Sequence, residues 1–186
     1  MRDSEKLPAM LTVRMNNVAV DSLGALVVPS PTNGQCQLSP ELDELVADGI
    51  LRSGEAIVFA KDIAEAATVA QDIDLTQWEC QVNSLHLDDV MSVEVDTLDD
   101  GEPVISENEQ RRMLSCGVVF SFSIAQLVHG LDDPVQVRCI LSANSSSGTF
   151  RFHRVRPGQS WLASDLDSYQ HEKLIVIDSN SHTDKL

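Results

Sequence analysis

The stretch GVVFSFSIAQLVHGLDDPVQVRCILSANSSSGTFRFHRV, residues 117–155, decides the fold, and it carries four of the five phenylalanines in the protein. Val118, Phe120, Phe122 and Ile124 alternate with Val119, Ser121, Ser123 and Ala125, the period of two expected of a strand with one buried face. Asp132-Asp133-Pro134 then turns the chain, and Val135, Val137, Cys139 and Leu141 alternate again. The cluster from Asn144 to Gly148 closes a hairpin whose second strand points Phe150 and Phe152 inward. The stretch therefore reads as a three-stranded antiparallel meander, although residues 124–128 suit a helix as well as a strand.

Outward from it, Ser106-Glu107-Asn108-Glu109 matches a capping box and predicts a helix ending near Cys116-Gly117. Ser39-Pro40-Glu41 predicts a second helix, with a side-chain cap, a proline that fits the first turn and an acid at the positive dipole end. Asp48-Gly49 stops it. Ile63, Ala66, Ala67 and Ala70 give a third apolar stripe, over residues 62–71. Short alternating or β-branched runs predict strands at 10–15, 18–20 with 23–28, 56–60, 78–82, 90–95 and 173–178, with Asn16-Asn17 as a turn between the first two. The fold class this implies is α+β, a mainly antiparallel sheet with two or three packed helices. The whole chain, 1–186, reads as a single domain with residues 1–9 and 179–186 frayed.

An apolar share of 42% is enough to build a core in 186 residues, and aromatics at 4% leave that core to aliphatic side chains. A formal charge of −16 disfavours nucleic acid and anionic membranes as partners. Asp3 and Glu5 stand where a secretory leader carries basic residues, and no run approaches the ~18 apolar residues of a membrane helix. Cys36, Cys80, Cys116 and Cys139 are spread without a C-x-x-C pair and read as reduced thiols. The expectation is a cytosolic protein.

The charge is concentrated. Residues 39–110 hold nineteen acidic side chains against Arg52 and Lys61, whereas 1–38 and 111–186 are close to neutral. Asp88, Asp89, Asp96, Asp99, Asp100 and Glu102 are singled out among them, and a surface of this kind steers a basic partner into contact.

Chemistry-bearing motifs are sparse by comparison. Residues 96–107 have EF-hand spacing at Asp96, Asp100, Gly101 and Glu107, but Leu98 stands where an oxygen ligand belongs. His86 and His129 each precede an Asp-Asp pair, too weak a repeat to define a metal site without a short-range ligand motif. Cys116 with His129 or His153 lacks an identified base and oxyanion hole, and neither a nucleophile elbow nor a phosphate-binding glycine loop occurs. Arg138, Arg151, His153, Arg154 and Arg156 form a basic hairpin, which acids of the same chain are expected to neutralise. Trp78 and Trp161 read as core or core-edge residues.

These features point to a non-enzymatic protein-binding module, without metal or cofactor, in which the six acids meet a basic protein. An inhibitor or immunity protein against a cationic toxin such as a nuclease is its sharpest form. An acidic chaperone for secreted proteins and a His/Asp/Cys metalloprotein or hydrolase are the alternatives.

Overall fold

The computed structural model describes residues 11–24, 37–66 and 73–179. Strands β1 (Leu11–Met15), β2 (Ile50–Ser53), β3 (Ala56–Phe59), β4 (Ser84–His86), β5 (Val95–Thr97), β6 (Pro103–Ile105), β7 (Val137–Ala143), β8 (Gly148–Arg154) and β9 (Lys173–Ser179) alternate with six helices. These are α1 (Asn17–Leu23), α2 (Pro40–Asp48), α3 (Ile63–Ala66), α4 (Leu75–Val82), α5 (Leu87–Val90) and α6 (Glu107–His129). The fold is α+β with an antiparallel sheet, as expected, but among the described residues six helices replace the expected two or three.

The largest correction falls on residues 117–129. They are the second half of α6, a 23-residue helix, so the meander loses its first strand. Three facts make the helix. Ser106 Oγ accepts the Glu109 N–H at 3.3 Å, Glu107 and Glu109 sit at the positive end, and His129 sits in the last turn. The buried set Met113, Gly117, Phe120, Ser121, Ile124 and Val128 follows a helical period, while Phe122 is only partly buried. Gly117, taken for a stop, is a contact point: a Cβ there would lie 2.5 Å from Cδ2 of Leu141, so glycine lets α6 settle closely on β7. Half of the capping box forms, because the Glu109 carboxylate turns instead to Arg112 and the Glu94 N–H. By length and composition α6 would suit a membrane span, and more than half of that apolar window is buried against the rest of the protein.

The main sheet has the order β1-β9-β7-β8-β4 with every neighbour antiparallel. Cys139, Leu141, Phe150, Phe152, Ile175 and Ile177 belong to one core cluster with Leu114, Val118, Phe120 and Ile124 of α6. Phe59, Phe120, Phe150 and Phe152 meet there, two of the pairs edge-to-face at 4.8 and 4.9 Å. On the opposite face Ile140 and Leu174 pack with Cys80 under Trp161, Leu162, Leu166 and Tyr169. The β7–β8 hairpin, the last strand and the β3 strand stand as predicted, and Asn144 Oδ1 closes the hairpin turn by accepting the Ser146 and Ser147 amides. Ser179, expected to fray, is the last residue of β9 and its Oγ accepts the Val137 N–H.

Three other local expectations fail for related reasons. Asn16 does not make a turn into a second strand; it caps α1, accepting the Ala19 N–H. Its buried amide also accepts from Leu174 N and donates to the carbonyls of Tyr169 and Glu172, so all four of its hydrogen bonds are made. Residues 78–82 belong to helix α4, whose buried members Thr76, Glu79 and Cys80 include two polar side chains that an alternation count misreads. The strand expected at 90–95 is split between the end of α5 and the start of β5. The third predicted helix is present as α3 over Ile63–Ala66, preceded by a 3-10 turn, while its remainder, like residues 25–28 of the strand expected at 23–28, lies outside the described residues.

The β2–β3 hairpin joins the main sheet through side chains of α4. Glu79 accepts the amides of Ile57 and Arg154 (2.8 Å each) and both guanidinium branches of Arg156 (2.7 and 2.8 Å). Asn83, the α4 C-cap, accepts the Phe59 amide and donates to the carbonyls of Ile57 and Phe152. Both residues are fully buried. Glu79→Gln strands Arg156 and is expected to lower unfolding stability by about 3–5 kcal/mol in a denaturant titration. Glu55→Gln, on the solvent side of the exposed Glu55–Arg154 pair, leaves the midpoint close to wild type.

His153 is buried, its Nδ1–H donates to the Arg154 carbonyl at 2.8 Å, and its Nε2 has no partner. Burial pushes this imidazole below its ordinary value of 6.5. Above that pH the ring is neutral in both states. Below it the unfolded chain takes up a proton that the folded chain resists, so stability falls as the pH drops from 6.5 toward the carboxylate range. His153→Asn, which keeps an N–H for the Arg154 carbonyl, should flatten this part of a melting-temperature-against-pH profile.

Candidate functional site

The segment from Glu94 to Glu102 folds as a hairpin because Leu98-Asp99-Asp100-Gly101 makes a tight turn. The Gly101 amide donates to the Leu98 carbonyl, and the Leu98 amide donates to the Glu102 carbonyl, at 2.9 Å each. Gly101 has φ +85°, a conformation glycine takes without strain. Asp100 Oδ1 accepts the Glu102 amide at 3.1 Å and stiffens the turn. This β5–β6 hairpin stands beside the β7–β8 turn, tied by the Ile105 N–H to the Ser145 carbonyl at 2.7 Å.

Between the two lies a groove of about 450 Å³ lined by Asp88, Val95, Glu102, Pro103, Ile105, Ser145 and Ser146. Of the six acids singled out by charge, Asp88 and Glu102 line this groove, and Asp96, Asp99 and Asp100 stand exposed on the hairpin. Asp89 is exposed on α5 and is not part of the lining. Asp88 has an internal duty too, since its Oδ1 accepts the Gly148 amide at 2.8 Å and anchors the β7–β8 turn. Charge counting missed the apolar members: Val95 is 55% and Leu98 49% exposed beside these acids. Val95 ends the run read as a strand at 90–95, and Leu98 lies beyond it in the turn.

None of the six acids forms an ion pair among the described residues, whereas several acids elsewhere are taken up internally. Glu55 holds Arg52 and Arg154, Asp133 holds Arg52, and Asp178 grips Arg138 through both oxygens. Lys173 is buried and bonds Glu107 at 2.9 Å and Gln110 at 2.6 Å. The Lys173 ammonium holds the Glu107 carboxyl below its ordinary range, and Arg112 does the same for Glu109. The basic hairpin is thus neutralised largely from within: Glu55 and Glu79 of the acidic middle segment serve Arg154 and Arg156, and Asp178 serves Arg138. Arg151 bonds Thr149 Oγ1 and lies over the Trp161 ring at 5.8 Å.

The other motifs do not assemble. Among the described residues no three His, Cys, Asp or Glu side chains form a group able to hold a metal ion. His86 ends β4 and His129 ends α6. Cys80, Cys116 and Cys139 are buried, and burial pushes the thiols of Cys80 and Cys139 up to about 12, far from nucleophilic thiolates. Cys36 lies outside the described residues. The EF-hand spacing falls on a closed β-hairpin followed by a helix N-terminus, and Glu107, which would be the bidentate ligand, is bound to Lys173 and Ser22. Calorimetric titration with calcium to millimolar concentration is therefore expected to give no binding heat.

None of the curated proteins and none of the solved structures matches the chain. Residues 27–185 match a family model described as the Uncharacterized protein PM0498 family. That match spans most of the chain, and the protein belongs to the Uncharacterized protein PM0498 family.

Proposed function

We propose that this protein is a non-enzymatic binding module whose β5–β6 hairpin and adjoining groove dock a basic protein, in the manner of an inhibitor that occupies a cationic site. One observation carries the reading. Asp89, Asp96, Asp99, Asp100 and Glu102 are exposed and form no ion pair among the described residues, and four of them lie on one hairpin beside a groove, whereas Arg138, Arg154, Arg156 and Lys173 are each paired with a carboxylate of the chain. Val95 and Leu98 add apolar surface among the acids, and an apolar centre with a charged rim is the common anatomy of a protein interface. The acids would set the association rate and the choice of partner, and the apolar pair would slow dissociation.

The test is affinity capture from the native host with the wild-type protein and with a variant carrying Asp89→Asn, Asp96→Asn, Asp99→Asn, Asp100→Asn and Glu102→Gln. Asp88 is left intact because it anchors the Gly148 amide. Wild type should recover a basic protein that the variant loses. With the purified pair, association should slow at least ~10-fold in the variant, and wild-type association should slow with added salt. A partner recovered equally by both proteins, with salt-insensitive association, would refute the reading.

A further inference from the structure

Resting on the reading of the hairpin as the partner surface, we infer that the outer edge of β5 takes up an extended, basic segment of the partner as an added strand. The register decides which backbone groups are available. Leu98 and Glu102 are hydrogen-bonded across the turn, and pairs in an antiparallel ladder alternate between bonded and non-bonded. Thr97 opposite Pro103 is then a non-bonded pair, Asp96 opposite Val104 a bonded one, and Val95 opposite Ile105 non-bonded again. The Ile105 amide agrees, since it turns outward to the Ser145 carbonyl. The N–H and C=O of both Val95 and Thr97 therefore face away from β6, and among the described residues nothing receives them.

The two edges of this small sheet are unlike. On β6, Pro103 has no N–H to offer and the β7–β8 turn occupies Ile105, two devices that close an edge to further pairing. On β5 neither device is present, and all three residues are exposed. Such an edge supplies the main-chain bonds of strand addition, while side-chain chemistry selects the occupant. Glu94 and Asp96 project on one face of β5, and Val95 and Thr97 on the other, the face toward the groove. The complementary segment alternates Lys or Arg, set against Glu94 and Asp96, with apolar residues that extend over the groove beside Val95. A second copy of this chain is the wrong occupant, because edge-to-edge pairing would put these carboxylates opposite one another.

The experiment uses a fluorescent peptide, Lys-Val-Lys-Val-Lys-Val-Lys, and the same peptide N-methylated at alternate amides, which keeps the charge and removes the donors. Anisotropy titration of the full chain should show the methylated peptide binding at least ~10-fold more weakly, the loss expected for two or more main-chain hydrogen bonds. Thr97→Pro removes one outward N–H at a position that donates nothing to β6, and it should weaken the plain peptide to a similar degree with an unchanged circular dichroism spectrum. Amide exchange at Val95 and Thr97 in the wild-type protein gives a readout without substitution, and both amides should become protected when the plain peptide is added. Equal binding of the two peptides that vanishes in the five-site amide variant would overturn strand addition while leaving the acidic interface standing. Binding of neither peptide at millimolar concentration would overturn both readings. A dimer in the absence of peptide that Thr97→Pro abolishes would overturn the proposal in favour of self-pairing.

Discussion

The fold depends on a buried carboxylate. Glu79 is enclosed by Ile57, Arg154 and Arg156, and accepts a hydrogen bond at each of four donor atoms. Together with Asn83 it carries out what a further strand would do: it satisfies the outward amides and carbonyls of β3 on one side and of β8 on the other, where β8 has run past the short β4. A carboxylate in this position is tolerable only because each lone-pair direction is used and the guanidinium pairs with it in both branches. The geometry also fixes α4 to one place and one rotation. Removing either partner leaves a charge in the core, so the helix, the β2–β3 hairpin and the end of β8 hold together or not at all.

Charge elsewhere follows the same logic of internal use. Lys173 opens β9 from beneath the start of α6, where Glu107 and Gln110 receive its ammonium, and Asn16 completes the backbone on the other side of the same strand. Arg138 and Asp178 pair across β7 and β9 in register. These contacts use up much of the positive charge in the later part of the chain. Among the acids left unpaired is the run from Asp88 to Glu102, which the fold presents on α5 and a hairpin.

How much of this was legible depended on which force decided each segment. Residues 39–49 and 137–154 were readable because capping, glycine stops, turn chemistry and alternation agree there. Residues 117–129 were not, because Val, Phe and Ser alternate by chance over eight positions while the true period shows only when Met113 and Val128 are included. Gly117 misled for a tertiary reason, namely the closeness of Leu141. Residues 75–82 failed because the buried face of α4 is partly polar, and no hydrophobic pattern announces a glutamate whose partners lie 22 and 77 residues away. At the candidate site the acids were visible from composition alone. The groove was not, since it needs Ser145 and Ser146 brought from beyond α6, and neither was the exposure of Val95 and Leu98, which is a property of the hairpin's placement.

The acidic hairpin also resolves a problem that its own shape creates. An exposed strand edge bearing valine and leucine invites uncontrolled pairing, and proteins usually blunt such edges with charge, proline or a bulge. Here proline and the β7–β8 turn close one edge, and Asp96, flanked by Glu94, charges the other. Like charges guard the open edge against copies of itself, yet leave its backbone groups usable by a strand of opposite charge. A lysine-rich guard would protect the edge against self-pairing equally well. On the docking reading proposed above, the carboxylates would disfavour polyanions and copies of the chain alike and admit basic protein segments.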